Sequence, residues 1–318
     1  MSSNSLAGKR TWFQVGFFVL FVTAPPLDIF RLDLTTGHFV LLGHAWTLGL
    51  EAFQHGEMES VEAVANLLLR GFLPVLLLVA GVILIAWRWG RLYCGWLCPH
   101  FSVVELINSL MFRASGRPSL WEKKPLSPRQ PDGSFLRPDK RYWLITIPAI
   151  VLFAFVWSLS LLTYLLPPFM VYQNLISLSF TYNQLLFLSV ATTLFVIEFA
   201  FARHLFCRFA CAVGLFQSFA WMANSRAMVV SFDASRYRAC KSCNNACDNS
   251  CPMRLKPRLE KRRMFACTQC GQCISACNQV QTSAGCTSLL QWVEDDAAKV
   301  LSDPPVSIPS EAVLNKKQ

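Results

Sequence analysis

Apolar residues gather into five stretches separated by polar ones, and their lengths sort them into two kinds. Four are long enough to predict membrane-spanning helices: Thr11 to Phe30, Phe72 to Trp87 (starting as early as Leu67), Trp143 to Leu166, and Leu185 to Ala202. Crossing about 30 Å of hydrocarbon takes roughly 20 apolar residues in a helix. Pro25-Pro26 and Asp28 interrupt the first near its end, and Pro167-Pro168 stop the third. The fifth stretch, Phe39 to Leu50, is short and broken by His44, so it reads as an interfacial or re-entrant piece and not as a span.

The charged residues orient these spans. Lys9 and Arg10 precede the first, and Trp87-Arg88-Trp89-Gly90-Arg91 closes the second, as anchors on a cytoplasmic side do. Residues 112–141 carry Arg113, Arg117, Lys123, Lys124, Arg129, Arg137, Lys140 and Arg141 against Glu122, Asp132 and Asp139, the strongest positive-inside signal in the chain. Its prolines between 118 and 138 argue against a packed core there. The acidic Glu51, Glu57, Glu59 and Glu62 suit the opposite side, and a fifth span at 39–50 would put the basic loop outside. Both termini are therefore expected inside. Composition agrees: of 318 residues 53% are apolar and 15% charged, against about 25% charged in a soluble domain. The net charge of +10 is read through these loops and not as a nucleic-acid surface. No small-residue cleavage site follows the first apolar stretch, so no secretory signal is expected. There is no Rossmann, P-loop, H-E-x-x-H or C-x-x-C-H pattern.

The chemistry is concentrated between Cys240 and Cys277. One run holds Cys240, Cys243, Cys247 and Cys251-Pro252; the next holds Cys267, Cys270, Cys273 and Cys277. Two iron–sulfur runs of the C-x2-C-x2-C-x3-C-P kind have this form, in which the fourth cysteine serves the other cluster. The first run has three residues between Cys243 and Cys247, and the second has Asn278 in place of proline. Two 4Fe–4S clusters are the reading that fits best. Zinc also takes four thiolates but normally joins two separated pairs, and disulfides are rare on a cytoplasmic face. Cys286 falls outside both sets as a spare thiol.

Two further pairs, Cys94 with Cys98 and Cys207 with Cys211, each lie just past a span, within an internal repeat covering roughly 67–110 and 180–220. If those segments are helical, thiols at i and i+4 share a face, and the two faces together would offer four thiolates. They are candidate redox-active residues: a further metal or cluster site, a redox dithiol, or simply small buried cysteines. Glu198 is a candidate for a proton or quinone role, or a partner of Arg203 at the interface. His204 is a candidate ligand or a plain interfacial histidine, and His44 and His55 are weaker haem or copper candidates. The basic connector Arg254 to Arg263 either offsets cluster charge, meets an acidic partner, or is simply solvated.

Taken together, Gly90-Arg91-Leu92-Tyr93-Cys94-Gly95-Trp96-Leu97-Cys98-Pro99, Cys207-Arg208-Phe209-Ala210-Cys211, Phe216-Gln217, Val230 to Ala234 and the paired cysteine runs resemble the membrane polyferredoxins related to NapH, NosR and the cytochrome oxidase accessory protein CcoG. The likeness covers residues 10 to 285. It implies a bacterial inner-membrane, multi-pass protein with a cytoplasmic ferredoxin-like module of two 4Fe–4S clusters. Ligand exchange as in ferredoxins would group Cys240, Cys243, Cys247 and Cys277 around one cluster, and Cys251, Cys267, Cys270 and Cys273 around the other. The domain layout is a membrane domain over 1–232, a ferredoxin-like domain over 233–285 and a partly disordered tail over 286–318. The family implies electron transport between the cytoplasmic side and a quinone, a metal such as copper, or a periplasmic reductase complex through a protein partner. The alternatives are an oxidase assembly factor that reduces copper and a non-catalytic redox sensor. Ala212 and Asn278 replace two of the family's prolines, and neither an extracytoplasmic flavin domain nor a span after the clusters is present in this sequence.

Overall fold

In the computed structural model, residues 3–50, 53, 58–122, 125–128, 130–131, 133–202 and 204–302 are described. The chain is mostly helical. Helix α1, Ser3–Thr23, begins earlier than the apolar run suggests and ends before Pro25-Pro26. Its first half carries Lys9, Arg10 and Gln14, and it is not among the helices long and apolar enough to cross a membrane. Among the described residues three are: α2 (Ser60–Trp89, with a wider turn at Leu67–Phe72), a helix over Lys140–Leu165 and one over Tyr182–Phe201. The sequence predicted about four spans. The difference lies in α1, where polar residues at the inner end are spent on packing.

The stretch expected to be interfacial or re-entrant forms a small antiparallel meander. Strand β1 (Phe30–Asp33) pairs with β2 (His38–Leu41), which pairs with β3 (His44–Trp46). Leu42 and Gly43 link β2 to β3 with φ of 49° and 77°, the doubly left-handed two-residue turn whose twist suits a hairpin. Asp33 anchors the other turn, accepting from the Thr35 amide at 2.9 Å and from Arg31 Nη1 at 2.7 Å.

Past α2 the chain makes one short turn of helix, α3 (Leu92–Trp96), and then α4 (Pro99–Ser115), which closes at Gly116 with φ of 72°. The basic loop thus begins after Ser115, not at residue 112. Helix α4 is amphipathic and buries Phe101, Val103, Val104, Ile107 and Met111. Val103 to Met111 pack on Ile150 and Ala154 of α5 (Trp143–Leu165) and on Phe199. A short helix α6 (Pro168–Ile176) fills the expected outer loop, and α7 (Tyr182–Ile197) starts at a Thr181–Gln184 capping box and runs on as a wider turn to Ala202. Helix α1 stacks its aromatics on α5, Phe21 lying 4.6 Å from Trp157 between ring centroids. By contrast, the most apolar 18-residue window of α2 has no buried residue, the pattern of a helix whose solvent is lipid.

Helix α8 (Ala212–Ala223) leads into β4 (Val229–Phe232), which pairs antiparallel with β5 (Leu290–Val293). This pair clasps the cysteine-rich segment at its base. The predicted module over 233–285 leaves both strands of that clasp outside it, and residues 286–302 are not a tail: they hold β5 and helix α11 (Asp295–Ser302). The rest of the predicted tail, 303–318, lies outside the described residues. A second core forms where module meets membrane foot, from Phe101, Cys207, Trp221, Val229, Met253, Leu255, Met264 and Cys267.

Arg10, read from sequence as a flanking anchor, is 6% exposed. Its Nη1 donates to Glu105 Oε1 at 2.9 Å and its Nε to the Gly95 carbonyl at 2.8 Å, while Gln14 and Gln272 also donate to Glu105. One carboxylate of α4 thereby gathers α1, the turn after α2 and the second cysteine run. Replacing it as Glu105→Gln leaves the buried guanidinium without its anion, a loss of about 3 kcal/mol for a pair of which one partner stays partly exposed. A fall in thermal aggregation temperature in detergent, larger than for Glu105→Asp, is the expected result.

The Asp33 turn is expected to weaken in acid. Burial would raise the Asp33 pKa, but the Thr35 hydroxyl and amide and the Arg31 charge outweigh it and hold the carboxyl down to about 2. A depressed folded-state pKa gives stability that is complete above the unfolded value of about 4 and lost as pH falls through about 2. Hydrogen exchange at Thr35, normalised for pH, is expected to accelerate across that window, and in Asp33→Asn to be fast throughout.

Candidate metal centres

Two cysteine groups line pockets of the cysteine-rich module, and a third lies where two spans end. The first pocket brings together Cys240, Cys243, Cys247 and Cys277, walled by Phe232, Val280 and Leu290. The second brings together Cys251, Cys267, Cys270 and Cys273, walled by Val230, Met253, Leu255 and Met264. In each, three thiols come from one run and the fourth from the other. The extra residue in the first run is absorbed at Asn244-Asn245, whose φ values of 45° and 55° are left-handed, a conformation asparagine tolerates better than most residues.

Among the described residues no three His, Cys, Asp or Glu side chains converge tightly enough for a single metal ion. The four thiols of each module set instead line one pocket, and four thiolates are the ligand set of a 4Fe–4S cluster. Burial pushes the Cys267 and Cys247 thiols up to about 12 and Cys273 well above its ordinary value. Buried thiols of this kind stay protonated near neutral pH unless a bound metal takes their protons' place. Cys243 is the exception, drawn down to about 6 by a hydrogen bond from the Cys240 thiol, with help from the Asn245 and Ala246 amides and the Arg258 charge.

The basic connector is not simply solvated. Arg258 lines the first cavity and donates to Asp248 at 2.7 Å. Lys261 is buried, donates to the Asn224 carbonyl at 2.5 Å and lies 4.9 Å over the Trp221 ring. Arg254 pairs with Glu122 of the basic loop, which ties that loop to the module.

The third group is built from the internal repeat. Cys94 sits in α3 and Cys207 in the wide turn Phe206–Ala210, and both are buried. Cys98 and Cys211 are not on those turns' helical faces, as i and i+4 helical spacing had suggested. Each is the N-cap of the following helix, with φ/ψ of −61°/116° and −71°/107°. Pro99 enforces this at Cys98, because a residue before proline is pushed out of the α region. Cys211 adopts the same shape before Ala212, so the missing proline does not alter the local geometry. The groups do come together: ionisation of Cys98 is opposed by Cys94 and Cys211, and that of Cys207 by Cys98, Cys94 and Cys211. Burial is the largest cause for Cys94, Cys98 and Cys207 and takes Cys98 up to about 12, offset in part by the Phe101 and His100 amides at the helix start.

The third group abuts the second. Gly95 lies against the Thr268 carbonyl and Cys270, and Trp96 Nε1 donates to the Gln269 carbonyl at 3.0 Å. Cys98 and Cys251 pack on the same apolar core that contains Cys207 and Cys267.

Several neighbours carry no sequence motif of their own. His100 Nε2 lies 3.0 Å from Glu198 Oε1 inside a box of Trp157, Phe195, Phe199 and Phe206. That gives Glu198 a partner within the described residues, whereas Arg203 lies outside them. His100 follows Cys98-Pro99 directly, and that adjacency was its available signal. His204 is buried with its ring 4.4 Å from Phe101, and Asn108 Nδ2 lies 3.4 Å from its Nδ1. His44 is exposed in β3 and bonds only locally, to the Leu42 carbonyl at 3.0 Å. His55 lies outside the described residues. Cys286 is exposed and apart from all three groups.

Exposed as it is to Thr268, Gly95 has no room for a side chain, since a methyl there would overlap that carbonyl. Gly95→Ala is expected to loosen the module from the membrane foot, seen as faster proteolysis in the 250–270 segment of the detergent-solubilised protein. Gly81→Ala, where nothing lies within 4 Å, is the control expected to change nothing.

Comparison with known proteins bears on the third group. Residues 72–118 and 183–226 each match the family model described as a 4Fe-4S binding domain, and each match spans one half of the internal repeat. One relative, named "Putative electron transport protein YccM" of Escherichia coli (strain K12), is 25% identical over 229 residues, 71% of this chain and 57% of its own length. Another, the uncharacterized protein MJ0749 of Methanocaldococcus jannaschii, is 22% identical over 200 residues, 62% of this chain and 65% of its own length. The chain thus spans less than two thirds of either relative. No solved structure matches. The chain is a distant homologue of membrane proteins with a 4Fe-4S binding domain, and its three candidate spans agree with a multi-pass membrane location.

Proposed function

We propose that the chain is a membrane-anchored iron–sulfur electron carrier with three thiolate-ligated centres in line. Cys240, Cys243, Cys247 and Cys277 hold one 4Fe–4S cluster, and Cys251, Cys267, Cys270 and Cys273 hold the second. Cys94, Cys98, Cys207 and Cys211 hold a third at the membrane surface. Clusters so held supply single-electron transfer at potentials set by charge, hydrogen bonding and exposure.

The observation that carries the proposal is the shared core around Cys98, Cys207, Cys251 and Cys267, with Gly95 seated on the Thr268–Cys270 backbone. It supports a surface group packed directly beside one module site. Inside the module, Cys247 and Cys273 lie close enough for their charges to oppose one another, so the other module site adjoins in turn.

The module lies on the cytoplasmic side in this reading. Glu122 and Arg254 bind it to the loop that carries Arg113, Arg117, Arg137, Lys140 and Arg141, and such loops stay inside. A soluble redox partner meets the outer cavity, and the surface centre faces an acceptor or donor in or across the membrane, such as a quinone, a metal ion or a periplasmic reductase.

Iron and acid-labile sulfide per chain, measured on protein purified without air, test this. About twelve irons are expected from three four-iron centres, and Cys98→Ser or Cys211→Ser is expected to remove about a third of them. Iron content unchanged by either substitution would sink the surface centre, and zinc in place of iron would sink the electron-carrier reading.

A further inference from the structure

Arg91 lies against the surface group, beside the core that this group shares with the neighbouring module site. Gly90, at φ 70°, ends α2 and turns the chain beneath Trp221, and the Arg91 side chain then runs fully inward, at 0% exposure. Its Nη2 donates to the Cys207 carbonyl at 2.7 Å. On the far side stands Gly214 of α8, where a methyl would overlap Nη2, so the helix after Cys211 is shaped to admit this guanidinium.

Two nitrogens of the group, Nε and Nη1, find no hydrogen-bond partner. Among the described residues no carboxylate forms an ion pair with it, although Arg10, the other deeply buried arginine here, has Glu105. Around it stand the candidate ligand thiols: Cys207, whose carbonyl it holds, packs in one core with Cys98, Cys251 and Cys267. An arginine does not shed its proton in a protein, and a buried charge without a counter-charge is strongly unfavourable. Neutral thiols do not supply that counter-charge. Thiolates on a metal centre do, since four of them outweigh the metal charge for zinc and for a 4Fe–4S cube alike.

We infer that Arg91 is the counter-ion shared by the surface centre at Cys94, Cys98, Cys207 and Cys211 and the module centre at Cys251, Cys267, Cys270 and Cys273, a positioning residue that sets the charge of both. This rests on the three-centre reading above. One cation between two anionic centres stabilises the electron-rich state of each, so it raises both reduction potentials. The other module centre, at Cys240, Cys243, Cys247 and Cys277, has Arg258 instead and is outside its reach.

The test compares full-length wild type, Arg91→Lys and Arg91→Gln, purified in detergent without air, by iron content and by redox titration followed with paramagnetic resonance. In Arg91→Gln the midpoints of the two centres beside residue 91 are expected to fall while that of the Arg258-lined centre stays fixed, which also reports an intact module. Arg91→Lys, which keeps the charge, is expected to shift them less. Identical midpoints in all three proteins overturn the inference. If Arg91→Gln instead loses the surface iron, retention of that iron in Arg91→Lys supports the counter-ion role, and equal loss in both shows packing alone and overturns it. A wild type whose iron is indifferent to Cys98→Ser is a different failure, that of the surface centre itself.

Discussion

The docking of one tight turn on another governs this molecule. The turn Cys94 to Cys98 leaves a span, and the turn Thr268 to Cys270 opens the second cysteine run, and they touch backbone to backbone through Gly95. Contact at that range excludes side chains and water together, so it fixes the distance between two groups of thiols more firmly than any side-chain pair would. The surrounding parts defend it. Trp96 bonds across it, Arg10 and Glu105 clamp its flank, and the core around Trp221 and Met264 closes beneath. A module this small has little core of its own. Sharing one with the membrane foot supplies apolar contact that the cysteine runs lack.

The internal repeat explains how a surface site is made from elements that individually say little. Each half supplies a span, a turn with one buried thiol, and a helix whose N-cap is the second thiol. A helix start presents unpaired amides and a positive dipole end, so both N-cap thiols are placed where an anion is favoured. Two such starts, close enough for Cys98 and Cys211 to oppose one another's ionisation, favour an anion between them without requiring a carboxylate or histidine. The Arg91 guanidinium extends the same electrostatic logic to the interior.

Much of this was legible in the sequence, and the misses have physical causes. Spans at 143–166 and 185–202 were readable to within a few residues because unbroken apolar length has one solution in lipid. The cysteine groupings followed from spacing and resemblance, and the cavities bring together the same sets. Thr11 to Phe30 misled because apolar content does not reveal that Arg10 and Gln14 are used inside. Phe39 to Leu50 misled because its period-two alternation is brief and a doubly left-handed Leu42-Gly43 turn is a weak signal. Strand β5 was hidden for another reason: four residues beyond the last cluster cysteine carry no pattern until their partner at 229–232 is known. Arg91, Glu105 and His100 belong to the same class, since the partner of a polar side chain is not visible in the sequence.

The basic connector has one more consequence, for encounter kinetics. From sequence, Arg254 to Arg263 offers six cations to a passing acidic protein. In the fold Arg254 is engaged by Glu122, Arg258 by Asp248, and Lys261 is interred beside Trp221. Lys256, Arg262 and Arg263 stay at the surface. Long-range steering depends on such exposed charge and fades as salt shortens its range to about 10 Å at 0.1 M. An acidic collision partner would therefore be guided by fewer unpaired cations than the sequence offers, and its approach would be correspondingly less sensitive to ionic strength.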